Sequence, residues 1–227
     1  MKQFLRELLC IAPAFIKNII DQNKPADQGF NQYGKKSTII LVGGYSPSVN
    51  SFASSHVRKG LEKLDFNVFV FNPGSNTNKK ISFTAKKLKS FIKEVQNRAH
   101  INKVSIVAHS MGGLISLYCL EKLGQEKTIN NIIAVGSPFN GTRTAYFALH
   151  AKAAREMLPN SKFLLELAKN LQYTDRVISV RAKRDQIIKP KSSPILEGAK
   201  NVEVDVVGHS ILMQSDKVLD IIKKELK

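Results

Sequence analysis

The sequence predicts an α/β fold in which a parallel sheet carries helices on both faces. Short runs of β-branched and other apolar residues alternate with segments whose apolar residues recur at helical spacing. The polar residues that could carry chemistry follow the ends of those runs, and open α/β sheets bind ligands at the carboxyl ends of their strands. A chain of 227 residues, 43% of them hydrophobic, is long enough for one domain with one sizeable core.

Six short apolar runs are predicted as strands, because they are rich in β-branched residues and are bounded by turn-forming residues. In chain order they are 37–44, 66–73, 103–109, 130–138, 177–182 and 202–209. Apolar spacing of three or four residues predicts helices at 48–64, 79–98, 111–123 and 215–226. A mostly helical insertion, 142–172, separates the fourth strand from the fifth and would form a small cap over the strand ends.

The amino-terminal residues 1–24 have apolar side chains at helical spacing with charged residues between them. Glu7 and Pro13 interrupt the apolar run, so a secretory signal is not expected, and the run is too short to span a bilayer. Two interpretations remain open: a helix packed on the domain, or an amphipathic helix lying on a membrane. We therefore expect a cytoplasmic chain or one peripheral to the membrane.

The chain is strongly basic, with a formal net charge of +17 and a pI near 9.9. Such a charge favours contact with anionic surfaces, although lysines that solvate helix faces, as in 79–98, would also account for it. No nucleic-acid-binding motif accompanies the charge, so nucleic acid is not expected as a partner. The two cysteines form no CxxC pair, and no cluster with metal-ligand spacing occurs, so we expect no metal and no cofactor.

The segment VAHSMGGLISLY, residues 107–118, places Ser110 between a predicted strand and a predicted helix. A strand-to-helix corner of this kind exposes the serine hydroxyl above the sheet, and its crowded backbone requires small flanking residues. Ala108 and Gly112 meet that requirement. The helix start would also direct backbone N–H groups at a developing oxyanion. The corner predicts Ser110 as a nucleophile, and an ordinary serine helix cap is the alternative.

A serine needs a base, and an acid to orient that base, in the chain order Ser, Asp, His. His209 follows the sixth predicted strand and Asp185 follows the fifth, so both fall at the edge where Ser110 lies. Asp205 lies within a strand and Asp175 precedes one, which places them wrongly for this task. The predicted triad is therefore Ser110, Asp185 and His209.

The oxyanion of an acyl-transfer reaction requires backbone donors beside the nucleophile. The N–H of Met111 directly follows Ser110, and the loop LVGGYSPS offers the N–H of Tyr45 after two glycines that permit a tight turn. We expect Met111 and Tyr45 to be these donors. A glycine-rich turn without a catalytic role remains the alternative for the loop.

Five segments in a consistent order resemble the α/β-hydrolase superfamily, and within it the small bacterial lipases and esterases. They are AHSMGG, GSPFNGT (136–142), AREMLPNSKFLLEL (154–167), RDQIIKP and GHSILM. The resemblance covers roughly residues 37–227 and implies an α/β-hydrolase domain with a minimal, mostly parallel six-stranded sheet. It also implies the same triad and the same oxyanion donors. One departure is that Gly43 and Gly44 stand where the group usually has His-Gly.

The resemblance implies a serine hydrolase that cleaves carboxylic esters, as lipases and esterases do. We expect Gly44, Phe139 and Tyr146 to contact the substrate, a small-molecule or lipid ester, and peripheral contact with an anionic membrane fits the charge. Thioesterase, amidase or acyltransferase activity would use the same three residues. A non-catalytic binding protein of the same fold is the alternative from a different class.

Overall fold

The computed structural model describes residues 36–45, 55–72 and 79–226. Six strands run through this part of the chain, and each ends within a few residues of its predicted end. They are β1 (Thr38–Val42), β2 (Asn67–Phe71), β3 (Val104–His109), β4 (Ile129–Val135), β5 (Val177–Arg184) and β6 (Lys200–Val207). The predicted amino-terminal helix of residues 1–24 lies outside the described residues.

Six α-helices connect or follow the strands in the described residues. They are α1 (His56–Lys63), α2 (Ile81–Ala99), α3 (Met111–Lys122), α4 (Lys152–Glu156), α5 (Lys162–Ala168) and α6 (Asp216–Glu225). Short 3₁₀ helices occur at Arg143–Ala148, Thr174–Arg176 and Ser210–Gln214. None of these helices is both long and apolar enough to cross a bilayer.

The strands form one sheet in the order β2-β1-β3-β4-β5-β6, and every neighbouring pair is parallel. Parallel strands require crossover connections, and here most of those connections are helices, as the alternating pattern predicts. The predicted six-stranded α/β class is therefore confirmed, and the sheet is wholly parallel among the described strands. All carboxyl ends of these strands consequently lie along one edge.

Two apolar layers bury the faces of the sheet, one on each side. One layer contains alternate side chains of the central strands packed with α2, α3 and the residues between β4 and β5. The other layer packs the remaining strand side chains with α1 and α6. The central strands are buried on both faces, which explains why β1 reads as the unbroken apolar run TIILV.

The insertion predicted at 142–172 contains the first 3₁₀ helix together with α4 and α5. It is tied to the loop after β5, because the hydroxyls of Thr142 and Thr144 both donate to the carbonyl oxygen of Ile187, at 2.7 and 2.6 Å. The backbone N–H of Arg143 also donates to the carbonyl oxygen of Lys189. The insertion thus begins beside the loop that carries Asp185.

Candidate active site

Ser110 occupies the sharp corner between β3 and α3. Its φ of 55° and ψ of −127° lie in a region that residues other than glycine rarely adopt. The backbone N–H of Ser110 donates to the carbonyl oxygen of Val135 at 2.9 Å, which ties the corner to the end of β4. This strained strand-to-helix turn is the geometry that an exposed nucleophilic serine requires.

Glycines allow the backbone to approach Ser110 closely. A methyl group on Gly112 would lie 2.4 Å from the carbonyl oxygen of Val42, so α3 begins against the end of β1 only because this residue lacks a side chain. A methyl group on Gly44 would lie 2.8 Å from the Cβ atom of Ser110 and 2.9 Å from the carbonyl oxygen of His109. The loop after β1 therefore lies directly against the serine.

Asp185 and His209 form a buried pair at the same edge of the sheet. The Nδ1 atom of His209 lies 2.8 Å from the Oδ2 atom of Asp185, and each side chain is 8% exposed. The other carboxylate oxygen accepts the backbone N–H groups of Ile187 and Ile188, each at 2.8 Å. An ionised carboxylate in this position fixes the proton of His209 on Nδ1 and leaves Nε2 free to accept one.

The contacts of Asp185 favour its ionised form. Burial alone would raise the pKa of Asp185, but the hydrogen bond and charge of His209, with the N–H groups of Ile188 and Ile187, lower that pKa below its ordinary value. Asp185 therefore stays negatively charged at neutral pH. A charged acceptor on Nδ1 is what stabilises an imidazolium when Nε2 gains a proton.

His109, the residue that precedes Ser110, contacts His209. The ring of His109 lies 4.6 Å, centroid to centroid, from the ring of His209. The hydroxyl of Ser110 forms no hydrogen bond within the part of the chain that the structure describes. Catalytic hydrogen bonds commonly form or tighten only when substrate is bound, so this arrangement is compatible with a serine–histidine pair.

Of the predicted oxyanion donors, Met111 follows Ser110 in the chain, and Tyr45 follows Gly44, which lies against Ser110. Met111 is the first residue of α3, where N–H groups have no partner within the helix and the helix dipole is positive. Tyr45 directly follows Gly44, and its side chain packs on the apolar layer that contains Met111. Their role as donors remains a prediction.

The residues predicted to contact substrate differ in exposure. Gly44 lies against Ser110. Phe139 is buried in the same apolar layer as Met111, whereas Tyr146 is 58% exposed on the 3₁₀ helix after β4. Their roles also remain predictions. Among the described residues, no group of three or more histidine, cysteine, aspartate or glutamate side chains could hold a metal ion.

Comparison with known proteins finds acyl-transfer and ester-cleaving relatives. Residues 75–182 match the model of the lecithin:cholesterol acyltransferase family. Over 92 residues the chain is 34% identical to a Mycoplasma pneumoniae protein named "Putative esterase/lipase 2", a match that covers 39% of this chain and 34% of that protein. The matched segment thus spans about a third of that relative's length.

Solved structures with the same architecture include two lipases. Aspergillus fumigatus lipase B superposes with a TM-score of 0.64 at 21% identity, covering 79% of this chain and 47% of that one. The mature form of Bacillus licheniformis lipase BlEst2 superposes with a TM-score of 0.68 at 13% identity, covering 90% and 96%. The chain therefore has the fold of these lipases. At these identities the likeness to solved lipases establishes the fold alone.

Two residues that contact His209 at this candidate site were not predicted from the sequence. The Nε2 atom of His109 lies 3.2 Å from the carbonyl oxygen of His209, and the side-chain oxygen of Gln186 accepts the backbone N–H of His209 at 3.0 Å. Both residues adjoin a predicted triad residue, His109 before Ser110 and Gln186 after Asp185. That adjacency was the signal that could have marked them.

Proposed function

We propose that the chain is a serine hydrolase that cleaves carboxylic esters through an acyl-enzyme. The observation that carries the proposal is the buried 2.8 Å pair of His209 and Asp185 beside a serine held at a strained strand-to-helix corner. Ser110 would be the nucleophile and His209 the base. Asp185 would keep the imidazole in the required tautomer and stabilise the imidazolium.

The reaction proceeds in two half-reactions. The Nε2 atom of His209 takes the proton of Ser110 as its Oγ atom attacks the ester carbonyl, and the N–H groups of Met111 and Tyr45 bind the resulting oxyanion. His209 then gives its proton to the departing alcohol as the ester C–O bond breaks, which leaves the acyl group on Ser110. In the second half-reaction His209 takes a proton from water as the water attacks the acyl group, and the carboxylic acid is released as the proton returns to Ser110. Loss of one such oxyanion donor typically costs about 2.7–4 kcal/mol of barrier.

Substitution of the proposed nucleophile tests this function. Ser110→Ala should lower the hydrolysis rate of p-nitrophenyl esters by about 10⁴-fold or more, because attack without the nucleophile relies on the oxyanion site alone. Ser192→Ala, at an exposed serine on the loop before β6, is the matched control and should keep the parent rate. A Ser110→Ala protein that hydrolyses esters at the parent rate would remove Ser110 from the mechanism.

The second candidate function is transfer of the acyl group to an alcohol instead of to water. The match to the lecithin:cholesterol acyltransferase family favours it. Both reactions use the same acyl-enzyme and differ only in the acceptor of the second half-reaction. Incubation with an ester donor and a long-chain alcohol distinguishes them. A new ester as the main product would establish the transferase, and free acid as the main product would establish the hydrolase.

We further propose that the substrate is a lipid ester and that residues 142–172 act as a cap of the hydrolase domain, residues 37–227. Apolar side chains of this segment remain exposed, among them Phe147 at 83% and Leu149 at 43%. Gly44, Phe139 and Tyr146 would line the substrate site. The segment begins beside the loop that carries Asp185, and exposed apolar residues on it suit an acyl chain better than a polar substrate.

The basic charge supports a peripheral position on an anionic membrane, with residues 1–24 as the proposed contact. Sedimentation with anionic liposomes, with and without those residues, tests the contact. The proposal predicts weaker binding by the truncated chain. Equal binding by both chains would remove residues 1–24 from the account.

A further inference from the structure

His209 is held by its own backbone as well as by its ring. Its N–H donates to the side-chain oxygen of Gln186 at 3.0 Å, and its carbonyl oxygen lies 3.2 Å from the Nε2 atom of His109. The ring is bound separately, through Nδ1, to Asp185. Three side chains from two different strand ends therefore determine where this one imidazole lies.

The faces of the His209 ring are also confined. The rings of His109 and His209 lie 4.6 Å apart with an interplanar angle of 36°. A methyl group on Gly136 would lie 3.3 Å from both Cε1 and Nδ1 of His209, so the backbone after β4 also borders the ring. The imidazole is thus bordered by the side chain at the end of β3 and by the main chain at the end of β4.

His109 is suited to this contact because it remains uncharged. Donation to a carbonyl oxygen requires a proton on Nε2, which the neutral tautomer supplies. Burial and, secondly, the charge of His209 lower the pKa of His109 to about 3. A neutral ring beside His209 imposes no charge repulsion when His209 becomes an imidazolium.

We propose that His109 is a positioning residue that sets the distance between the nucleophile and its base. His109 directly precedes Ser110 in the chain and holds the backbone and the ring face of His209, so one residue of the central strand β3 links both reacting groups. The inference depends on the proposed serine-hydrolase function, since it assigns a role within that mechanism.

Displacement of a reacting group by about 1 Å can cost on the order of 10²-fold in rate. Without His109, the carbonyl of His209 loses its donor and the imidazole loses the ring that packs against it. Asp185 and Gln186 would still hold His209 from the other side. We therefore expect a lower turnover number with a folded protein and an intact substrate site.

Three substitutions separate the two contacts that His109 makes with His209. His109→Phe retains an aromatic ring without the donor, His109→Gln retains a donor without the ring, and His109→Ala retains neither. Ser179→Ala is the matched control, because it removes one buried hydrogen bond, to the carbonyl oxygen of Pro194, away from His209. The measurements are kcat and KM on a p-nitrophenyl ester, the melting temperature, and the NMR resonance of the ring proton shared by His209 and Asp185.

The proposal predicts that His109→Ala lowers kcat by about 10- to 100-fold with KM changed less than about 3-fold. His109→Phe and His109→Gln should each retain more activity than His109→Ala, and the shared-proton resonance should shift or broaden in His109→Ala. Ser179→Ala should lower the melting temperature without changing kcat. A kcat of His109→Ala equal to that of Ser179→Ala, with the resonance unchanged, would overturn the proposal.

A separate result would show that the proposed serine-hydrolase function, and not only the role of His109, is wrong. A wild-type protein that neither hydrolyses esters nor reacts with a fluorophosphonate would contradict the serine-hydrolase mechanism itself. The NMR comparison would still decide whether His109 positions the imidazole, because it needs no turnover. An unchanged resonance in His109→Ala would then overturn the positioning role independently.

Discussion

At the scale of single residues, Ser110 carries backbone strain that the surrounding contacts hold in place. Its positive φ is unfavourable for a side chain with a Cβ atom, and such strain persists only where neighbouring structure determines it. Here the neighbours are Val135, which accepts the N–H of Ser110, and Gly112, which lets the helix begin against β1. These contacts hold Ser110 in its strained conformation at a cost in stability.

His109 should make the stability of the fold depend on pH. The folded state holds the pKa of His109 near 3, whereas the unfolded chain has the ordinary value of 6.5. Between these values the unfolded state binds the extra proton, so the free energy of unfolding falls as pH falls from 6.5 towards 3. Where the unfolded state binds one full proton more than the folded state, the free energy of unfolding changes by about 1.4 kcal/mol per pH unit.

Urea unfolding of the wild type and of His109→Gln between pH 6 and pH 4 measures this contribution. The wild-type free energy of unfolding should decrease more steeply with acidification than that of the variant, because glutamine does not titrate. Carboxylates that titrate in the same range are common to both proteins and cancel in the comparison. Parallel curves would contradict the buried, neutral state of His109.

The placement of the three proposed catalytic residues could be predicted because each follows a strand end. Ser110, Asp185 and His209 are separated along the chain, but a parallel sheet brings all carboxyl ends to one edge. The contacts of His109 and Gln186 with His209 could not be predicted in this way. His109 is 100 residues and Gln186 is 23 residues from His209 in the sequence. Each contact depends on where a side chain points at a strand end, and the alternation of apolar residues along a strand does not specify that direction.

At the scale of elements, the insertion between β4 and β5 is joined to the acid loop through Thr142. Its hydroxyl donates to the carbonyl oxygen of Ile187 and accepts the N–H of Lys189 at 3.0 Å, and the side chain is buried. Ile187 in turn donates its N–H to Asp185. Hydrogen bonds through Ile187 therefore link the start of the insertion to the Asp185 carboxylate.

Thr142→Val should cost about 1–3 kcal/mol of unfolding free energy, because it leaves the N–H of Lys189 without its acceptor. It should also lower kcat, since the loop holding Asp185 loses its anchor. Thr128→Val is the control, because Thr128 makes comparable hydroxyl contacts with Gln125 just before β4, at the opposite edge of the sheet. Chemical denaturation measures the loss of unfolding free energy, and ester kinetics measures the loss of kcat. Equal kcat values in Thr142→Val and Thr128→Val would contradict the proposed link between Thr142 and the loop that holds Asp185.

The order of the elements was predictable because the apolar runs and the helical spacing are strong and alternate regularly. The predicted ends were less accurate: the run 130–138 is strand only over Ile129–Val135, because Gly136 adopts a φ of +61° and ends it. The run 177–182 extends as β5 to Arg184. That extension could not be predicted, because its last residues are charged and form strand through pairing with β6.

At the scale of the whole molecule, the net charge of +17 is the excess of 35 lysines and arginines over 18 aspartates and glutamates. Ion pairs within the fold do not change this excess. Pairs such as Lys183 with Asp205 are exposed and contribute little to stability. The charge matters more for association, since a strongly basic surface attracts anionic partners over a distance set by the ionic strength.

Binding of the full chain to vesicles should depend on lipid charge and on salt. We expect sedimentation with vesicles containing phosphatidylserine at 50 mM salt and much weaker sedimentation at 500 mM, because the Debye length is several-fold shorter at the higher concentration. Phosphatidylcholine vesicles are the control and should bind weakly at both concentrations. Salt-independent binding, or equal binding to both lipids, would contradict an electrostatic contact.

The most direct measurement of the central claim is the site of covalent modification by a fluorophosphonate, because only an activated serine reacts readily with it. Intact-mass and peptide analysis of the wild type should show a single adduct, located on Ser110, and His209→Ala should label far more slowly. An unmodified wild type, or an adduct on a serine other than Ser110, would contradict the account.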